Sequence, residues 1–268
     1  MDIATLIGLF FGVGMLVLGD LLEGGNPLHL LLFPPFVIVM GGTIGMLLVL
    51  YPMNQLTRFP EFFGKGLKMN PTEKGELIEI FVKLSQKARS EGLLSLEETI
   101  QSPEYAKVDP FIIRGIKLVV DGTPPELIRD ILDIDIHASE EHDKVGAAMF
   151  EAMGGASPTM GIIGTVMGLV KVLSNLSDRE SLAESIASAF IATLYGVAFA
   201  NLVFLPMGGN LKAKVKEDKE IREMMVEAIL SIQVGENPAV LKEKLLSFLV
   251  PHEREAFEKR EGSGKKGE

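Results

Sequence analysis

The polar groups of this chain that could contact a passing ion lie inside apolar segments and carry no charge. The stretch 154–171 reads GGASPTMGIIGTVMGLVK and contains Pro158, Thr159 and Thr165, with nothing ionisable before Lys171. Pro158 and Thr165 are seven residues apart, close to two helical turns, so they face the same way. A helix of this kind offers a few polar oxygens but holds no charge of its own. We expect it to line an ion path whose charged group comes from another protein.

Four apolar blocks of about 20 residues provide the framework for such a path. They run over 3–22, 30–51, 152–170 and 185–207. A helix needs about 20 apolar residues to cross a hydrocarbon core of about 30 Å, so each block is long enough to span a membrane. The remaining segments are charged and show helical periodicity without strand-like alternation. We therefore predict an all-α integral membrane protein with four transmembrane helices and a cytoplasmic helical domain.

The distribution of basic residues predicts the orientation of these helices. No Lys or Arg precedes Arg58, whereas 52–150 contains twelve and the chain from Lys212 onward contains twelve more. Basic residues favour the cytoplasmic side, so both segments and both termini are predicted to be cytoplasmic. The predicted segments are 1–51 with transmembrane helices 1 and 2, 52–151 as the cytoplasmic helical domain, 152–207 with transmembrane helices 3 and 4, and 208–268 with cytoplasmic helices and a disordered tail from Arg260.

Small residues recur every four positions along several of the apolar blocks. Such stripes let neighbouring helices approach closely, and they suit a set of helices that surrounds another helix. The stripes are Ala4, Gly8 and Gly12 in the first block, Gly41 and Gly45 in the second, and Ser188, Ala192, Gly196 and Ala200 in the fourth.

Composition excludes several classes of function. A net charge of −10 argues against nucleic-acid binding, which needs a clustered basic face. The chain has no cysteine and no phosphate-binding loop, and His137 and His142 fit a solvated helix face better than a metal site. We expect no catalytic residue, no metal site and no enzyme activity.

The four spans contain no Lys, Arg, Asp or Glu away from their ends, where Asp20 lies, and this leaves two interpretations open. The chain is either a structural membrane bundle or the wall of an ion path whose carboxylate belongs to a partner helix, because ionisable groups inside membranes mark most ion carriers. A self-sufficient transporter would need internal repeats or ionisable groups at the membrane midplane, and the sequence has neither.

Five stretches resemble the flagellar motor stator A subunits of the MotA/PomA family, and look most like its sodium-type PomA branch. They occur in order over residues 1–240 and are MDIATLIGL, ARSEGLLSLEE, SPTMGIIGTVMGLVKVLSN, TLYGVAFANLVFLP and AILSIQVGENP. The resemblance implies a multi-pass protein of the bacterial inner membrane. It also implies a homo-oligomer, expected to be a pentamer, around the transmembrane helices of a dimer of MotB- or PomB-like B subunits.

In this family the B subunit carries the ion-binding aspartate, and ion flow turns the A ring against the rotor protein FliG. The resemblance therefore implies a motor subunit that needs no cofactor beyond the transported ion, Na⁺ or H⁺. The alternative is an energy-transducing subunit of the ExbB/TolQ type. Those proteins typically have three spans and lack the close first hairpin of this sequence.

The matched positions imply roles for individual residues. Thr165 matches a threonine of sodium-type members that is alanine in many proton-type members, and Thr193 matches the family's threonine in the fourth span. Together with Pro158 they are implied to lie on the ion pathway. Tyr195 and Asn201 also fit the sodium-type pattern.

Two further pairs of matched residues concern movement and the rotor. Pro158 and Pro206 match prolines that are implied to carry the conformational change behind torque. Arg89 and Glu97 match charges that are implied to face the rotor, where complementary charges steer encounter and register. Ser90 and Glu91 depart from the basic residue that some members have beside the arginine.

Overall fold

The computed structural model describes residues 3–67, 74–105, 108–174 and 179–264. All regular elements within these ranges are helical, which confirms the predicted all-α fold. Two short 3₁₀ turns occur at Pro27–Leu30 and Pro103–Tyr105, and a π-helical turn occurs at Ala200–Phe204. The helices are α1 (Ile3–Leu22), α2 (Phe33–Leu50), α3 (Met53–Leu56), α4 (Phe59–Leu67), α5 (Lys74–Glu91), α6 (Ser95–Gln101), α7 (Pro110–Val120), α8 (Pro125–Ser174), α9 (Arg179–Phe199), α10 (Leu205–Gln233), α11 (Pro238–Leu246) and α12 (Pro251–Gly264).

Within the described residues, four helical stretches are long and apolar enough to cross a membrane, as predicted. They are Thr5–Leu22, Phe33–Leu50 and parts of Pro125–Ser174 and Leu182–Gln233. The second begins three residues later than the apolar block, because Pro34 and Pro35 occupy the first helical turn, where proline is tolerated. The fourth span was predicted to end at about 207 and to be followed by a charged helix to about Val234, and α10 accordingly continues the chain as a helix to Gln233.

The described chain divides into two compact units. The first comprises Met1–Met69 and His142–Lys214, and the second comprises Asn70–Glu141 and Val215–Glu268. The division falls inside the predicted segment 52–151. Helices α3 and α4 belong to the first unit because Phe62 is buried there, and the Cα of Gly146 lies so close to its ring that a Cβ at this position would collide with it.

Asp143 holds a small polar cluster together in the first unit. One of its carboxylate oxygens lies 2.7 Å from Lys65 Nζ and 3.0 Å from His142 Nδ1. The ring of His142 packs against Phe62, with 5.2 Å between ring centroids. The expectation of a solvated helix face was therefore wrong for His142, because contacts with a distant helix cover it. His137 is exposed as predicted, with 72% of its side chain accessible.

The second unit has its own hydrophobic core, built from α5 to α7, the first part of α8, and α10 to α12. Its fully buried side chains include Phe81, Leu84, Leu96, Ile112, Ile116, Ile128 and Leu132. At its edge Glu227 accepts one hydrogen bond from Arg129, over 2.6 Å, and lies 2.9 Å from Lys244 Nζ. Burial acts to raise the pKa of Glu227, but the hydrogen bonds from Lys244 and Arg129 outweigh it and hold the pKa below its usual value.

The predicted disorder from Arg260 is not found over the first residues of the tail. Helix α12 continues to Gly264, and residues 265–268 lie outside the described residues. Arg254 bonds Glu258, 3.2 Å away, and Lys259 lies 4.0 Å from Glu255. Such ion pairs one turn apart support the part of α12 before Arg260, and Phe257 anchors this part in the core of the second unit.

Candidate functional site

Helices α8 and α9 touch through their backbones at a pair of glycines. A Cβ on Gly161 would lie 2.8 Å from the carbonyl oxygen of Ala192, and a Cβ on Gly196 would lie 2.6 Å from the carbonyl oxygen of Ser157. Real Cβ atoms do not approach backbone atoms this closely, so only glycine fits at these two positions. The small-residue stripe predicted on the fourth apolar block therefore faces the third, and both Gly196 and Ala192 are buried in the contact.

Ser157 ties the two helices together beside these glycines. Its side chain is fully buried, and its hydroxyl donates to the carbonyl oxygen of Gly196 over 3.0 Å. Sequence reasoning missed this residue. The signal was present, because Ser157, Gly161 and Thr165 are spaced four apart and so form one face of α8, the face that meets α9.

Thr165 and Thr193 meet across the same helix contact. Their hydroxyl oxygens are 2.5 Å apart. The Thr165 oxygen also lies 2.8 Å from the carbonyl oxygen of Ala189 on α9 and 3.1 Å from that of Gly161 on its own helix. The structure thus brings together two residues that the sequence separates by 28 positions and that the resemblance placed on one ion pathway.

The number of hydrogens and lone pairs on the two hydroxyl groups decides which ligands they can bind. Each hydroxyl has one hydrogen and two lone pairs. When Thr193 donates to Thr165 and Thr165 donates to the carbonyl of Ala189, the lone pairs of the Thr193 oxygen stay free to accept. The cluster then presents uncharged oxygens only, which are the ligands that hard cations prefer, and it has no group that would take up a proton near neutral pH.

A cavity of about 240 Å³ lies beside the threonine pair, between α2, α8 and α9. Gly164 and Ala192, the chain neighbours of Thr165 and Thr193, line one part of it. The opposite part has polar lining from Lys171, Glu184, Ser185 and Ser188. The apolar contact around the two hydroxyls therefore adjoins a space with polar groups near the ends of the two helices.

Pro158 lies within α8 and faces the same contact. Its Cα would be 3.1 Å from a Cβ on Gly196. Proline has no N–H, so the carbonyl of Gly154 lacks its usual helical hydrogen bond. Gly154 itself is buried against Leu205, whose side chain would be 2.5 Å from a Cβ at this position. The turn of α8 that lacks this hydrogen bond is therefore the turn that packs against α9 and the start of α10.

Pro206 follows a π-helical turn in the fourth span. Over Ala200–Phe204 the helix widens, and the N–H of Leu205 bonds the carbonyl of Ala200, five residues back. Proline at 206 cannot donate to the carbonyl of Leu202, which removes one bond of a regular α-helix at this point. Single π turns are frequent at functional sites. The two matched prolines thus occupy irregular or weakened turns of different spans.

Tyr195 and Asn201 lie on the same helix as Thr193 but make different contacts. The Tyr195 hydroxyl donates to the carbonyl of Leu30 over 2.5 Å and accepts from the N–H of Leu32 over 3.0 Å, so it holds the turn before α2. Asn201 is exposed and bonds the carbonyl of Val197 on its own helix. The structure does not bring either side chain to the Thr165–Thr193 pair.

Arg89 and Glu97 lie in the second unit, on either side of a tight turn. Arg89 is in the last turn of α5 and Glu97 in the first turn of α6, and both side chains are exposed. Gly92 between them has a φ of +88°, which favours glycine. Among the described residues neither charge forms an ion pair, so both are available to another molecule.

Comparison with known proteins identifies the family. Residues 104–224 match the MotA/TolQ/ExbB proton channel family. Motility protein A of Borreliella burgdorferi is 36% identical over 255 residues, which cover 95% of this chain and 96% of the relative. The chemotaxis protein PomA of Vibrio alginolyticus is 33% identical over 93% of this chain and 96% of the relative. Identity alone does not separate the two branches, because relatives named motility protein A are 31% to 36% identical.

Solved structures agree with this assignment. The fold matches the C. jejuni MotAB structure with a TM-score of 0.86 and 31% identity, covering 94% of this chain and 97% of that one. It matches the flagellar MotAB stator complex of Bacillus subtilis with a TM-score of 0.86 and 34% identity, covering 94% and 98%. These are ion-channel components of a motor, so the expectation that the chain is not an enzyme is confirmed. The chain belongs to the MotA/PomA family of flagellar stator A subunits.

Proposed function

We propose that this chain conducts Na⁺ together with a B subunit and converts the ion flow into torque on the rotor protein FliG. The observation that carries the proposal is the Thr165–Thr193 pair, two membrane hydroxyls 2.5 Å apart on separate helices. A polar contact of this kind in an apolar span needs a reason, because hydroxyls in membrane helices usually bond their own backbone. Thr43 in α2 does so, 2.7 Å from the carbonyl of Val39.

The uncharged spans support a division of labour between two proteins. The cores of the apolar blocks contain no Asp, Glu, Lys or Arg, so the carboxylate that neutralises a cation must come from elsewhere. The solved relatives are MotAB complexes, in which a second protein accompanies the A chain. We assign the carboxylate to a transmembrane helix of such a B subunit, with this chain as a homo-oligomer, a pentamer around a B dimer.

The hydroxyl pair favours Na⁺ over H⁺ as the coupling ion. A sodium ion leaving water must replace its hydration shell with oxygens, and the freed lone pairs of Thr193 supply one ligand beside the partner's carboxylate. A proton would need only the carboxylate. One charge that crosses 100 mV releases about 2.3 kcal/mol, enough to drive a rotation step without covalent chemistry. No cofactor is needed beyond the transported ion.

Charge placement supports the bacterial inner membrane as the location, with both termini in the cytoplasm. The basic residues cluster in 52–150 and after Lys212, which by the positive-inside rule puts both segments on the cytoplasmic side. Arg89 and Glu97 would then face the cytoplasm, where the rotor lies.

The sodium requirement should depend on both hydroxyls. We expect Thr165→Val and Thr193→Val each to raise the sodium concentration for half-maximal motility about tenfold, the equivalent of about 1.4 kcal/mol, because valine keeps the shape and removes one oxygen. Motility of a stator-deleted strain that expresses the chain with its B subunit, titrated with sodium at fixed membrane potential, measures this. Thr43→Val is the matched control, because that hydroxyl serves its own helix.

Two results would contradict the assignment in different ways. Rotation that does not depend on sodium in the unmodified chain would make it a proton-driven stator and leave the threonines as packing residues. Ion conduction with the B subunit but without any rotation would favour a transducer of the ExbB/TolQ type.

Charge reversal at the turn between α5 and α6 should uncouple ion flow from rotation. We expect Arg89→Glu or Glu97→Lys to reduce swarming severalfold while ion conduction stays within about twofold, because both charges are exposed and neither supports the fold. Swarm diameter and ion flux into vesicles measure the two effects separately. Lys216→Glu, at a side chain that is 80% exposed, is the control for a general charge effect. Normal swarming by the double variant would remove both residues from the rotor interface.

A further inference from the structure

A large apolar cavity in the first unit is lined by neither Thr165 nor Thr193. It has a volume of about 610 Å³ and lies between α1, the turn Pro27–Leu30, α9 and the π-helical turn. Its lining is apolar except at one end, where Asp20 and Glu23 contribute carboxylates and Tyr195 contributes a ring whose hydroxyl is already bonded to backbone. Of the residues that the structure describes, no Lys or Arg lines it.

The length of the cavity matches one leaflet of a bilayer. On α1 its lining runs from Val13 to Glu23, ten residue steps, which correspond to about 15 Å along a helix. Half of a hydrocarbon core of about 30 Å is the same length. The cavity ends where α1 touches the π-helical turn, because Gly12 lies against Leu202, whose side chain would be 2.9 Å from a Cβ on that glycine.

This closure decides which kind of occupant fits. A transmembrane helix of a partner would have to continue into the second cavity, of about 350 Å³, that Thr5, Leu6 and Gly8 line beyond Leu202, and it would have to break the Gly12–Leu202 contact to do so. An acyl chain that enters from one leaflet ends at the same depth as the cavity. A space left empty would lose the dispersion contacts of its whole lining, so an acyl chain is the occupant that the shape favours.

Asp20 shows which headgroup the cavity would prefer. Its Oδ2 atom is buried and has no hydrogen-bond partner among the residues that the structure describes. The carboxylate folds over Gly25, where a Cβ would collide with it. A carboxylate that is partly buried without a counter-charge is costly, and an ammonium group in the cavity would supply the opposite charge. Glu23, which directly follows α1, adds to the negative potential and disfavours an anionic headgroup.

We propose that this cavity binds an aminophospholipid of the outer leaflet, with its acyl chain between α1 and α9 and its ammonium group on Asp20. The assignment to the outer leaflet rests on the proposed membrane orientation, whereas the binding itself does not depend on the coupling ion or on torque. The lipid would attach α1, whose membrane-spanning window has no buried residue, to the rest of the unit.

The test uses the complex with its B subunit, purified in detergent, depleted of lipid and supplied with either phosphatidylethanolamine or phosphatidylglycerol. We expect phosphatidylethanolamine to raise the melting temperature and to remain bound in native mass spectrometry, and phosphatidylglycerol to bind at least about tenfold more weakly. Asp20→Asn should remove this preference. Gly19→Leu should abolish binding, because Gly19 lines the cavity and has open space around its Cα for a larger side chain.

Gly14→Leu is the matched control, because Gly14 also lies on α1 with open space around it but does not line the cavity. Equal binding of the two lipids would overturn the headgroup assignment. Unchanged binding in Gly19→Leu would overturn the cavity as the site. Crosslinking of a Leu16→Cys variant to the B subunit or to a second copy would show that protein, not lipid, fills the space. None of these readouts measures ion flow, so they remain separate from the tests of motor function.

Discussion

Gly196→Ala is expected to abolish motility and to lower the stability of the assembled complex by about 1–3 kcal/mol, the usual range for overpacking a tight contact. The added methyl group would lie 2.6 Å from the carbonyl oxygen of Ser157 and 3.1 Å from the Cα atoms of Pro158 and Gly161. All of these are backbone atoms, so no change of side-chain rotamer can relieve the collision. Helices α8 and α9 must separate, and the hydroxyl contact between them is then lost.

Thermal melting of the purified complex and swarming of cells that express the variant measure the two effects. Gly41→Ala is the matched control, because Gly41 is also a glycine in a membrane helix but has no atom within 4 Å of its Cβ position. The control should keep the motility of the unmodified chain. Normal motility in Gly196→Ala would mean that the close contact between α8 and α9 opens in the working stator and does not hold the ion path.

The sequence contained enough information to predict which helix faces form close contacts with other helices. The i+4 spacing of small residues around Gly196 indicated a close helix contact, and hydrophobic length predicted all four spans. The spacing alone did not show which helix the stripe would contact, because that contact joins separate segments of the chain. The spacing of Ser157, Gly161 and Thr165 marks the complementary face of α8, and matching the two stripes would have predicted the meeting of Thr165 with Thr193.

Other features could not be predicted because they depend on distant parts of the chain. His142 looks solvated in its own segment, where Asp143 is its neighbour. Only the distant Phe62 ring, which packs against it, shows that it is partly buried. Tyr195 fits the sodium-type pattern in sequence, but its hydroxyl bonds backbone groups more than 160 residues away. Helical periodicity reports the buried face of a helix and does not report which polar groups a neighbouring segment brings to it.

Asp143→Ala should destabilise the first unit by about 2–3 kcal/mol. Removing one partner of a buried ion pair costs about 3–5 kcal/mol because the remaining charge loses its partner, and the loss is smaller here because 41% of the Lys65 side chain is exposed to solvent. Asp143 is itself buried, and one of its oxygens bonds both Lys65 and His142. Its loss therefore leaves Lys65 with only the exposed Glu61, 3.7 Å away, and removes the carboxylate beside His142 Nδ1.

Chemical denaturation of the purified complex, followed by a probe in the first unit, measures the effect. Glu61→Ala is the control at the same lysine, because Glu61 lies 3.7 Å from Lys65 Nζ and is 52% exposed, and exposed pairs contribute less than about 1 kcal/mol. Replacing both partners, as in Lys65→Met with Asp143→Ala, should cost less than the sum of the single changes, since no unpaired charge remains. Equal losses in Asp143→Ala and Glu61→Ala would contradict the role of Asp143, because they would mean that burial adds nothing to this pair.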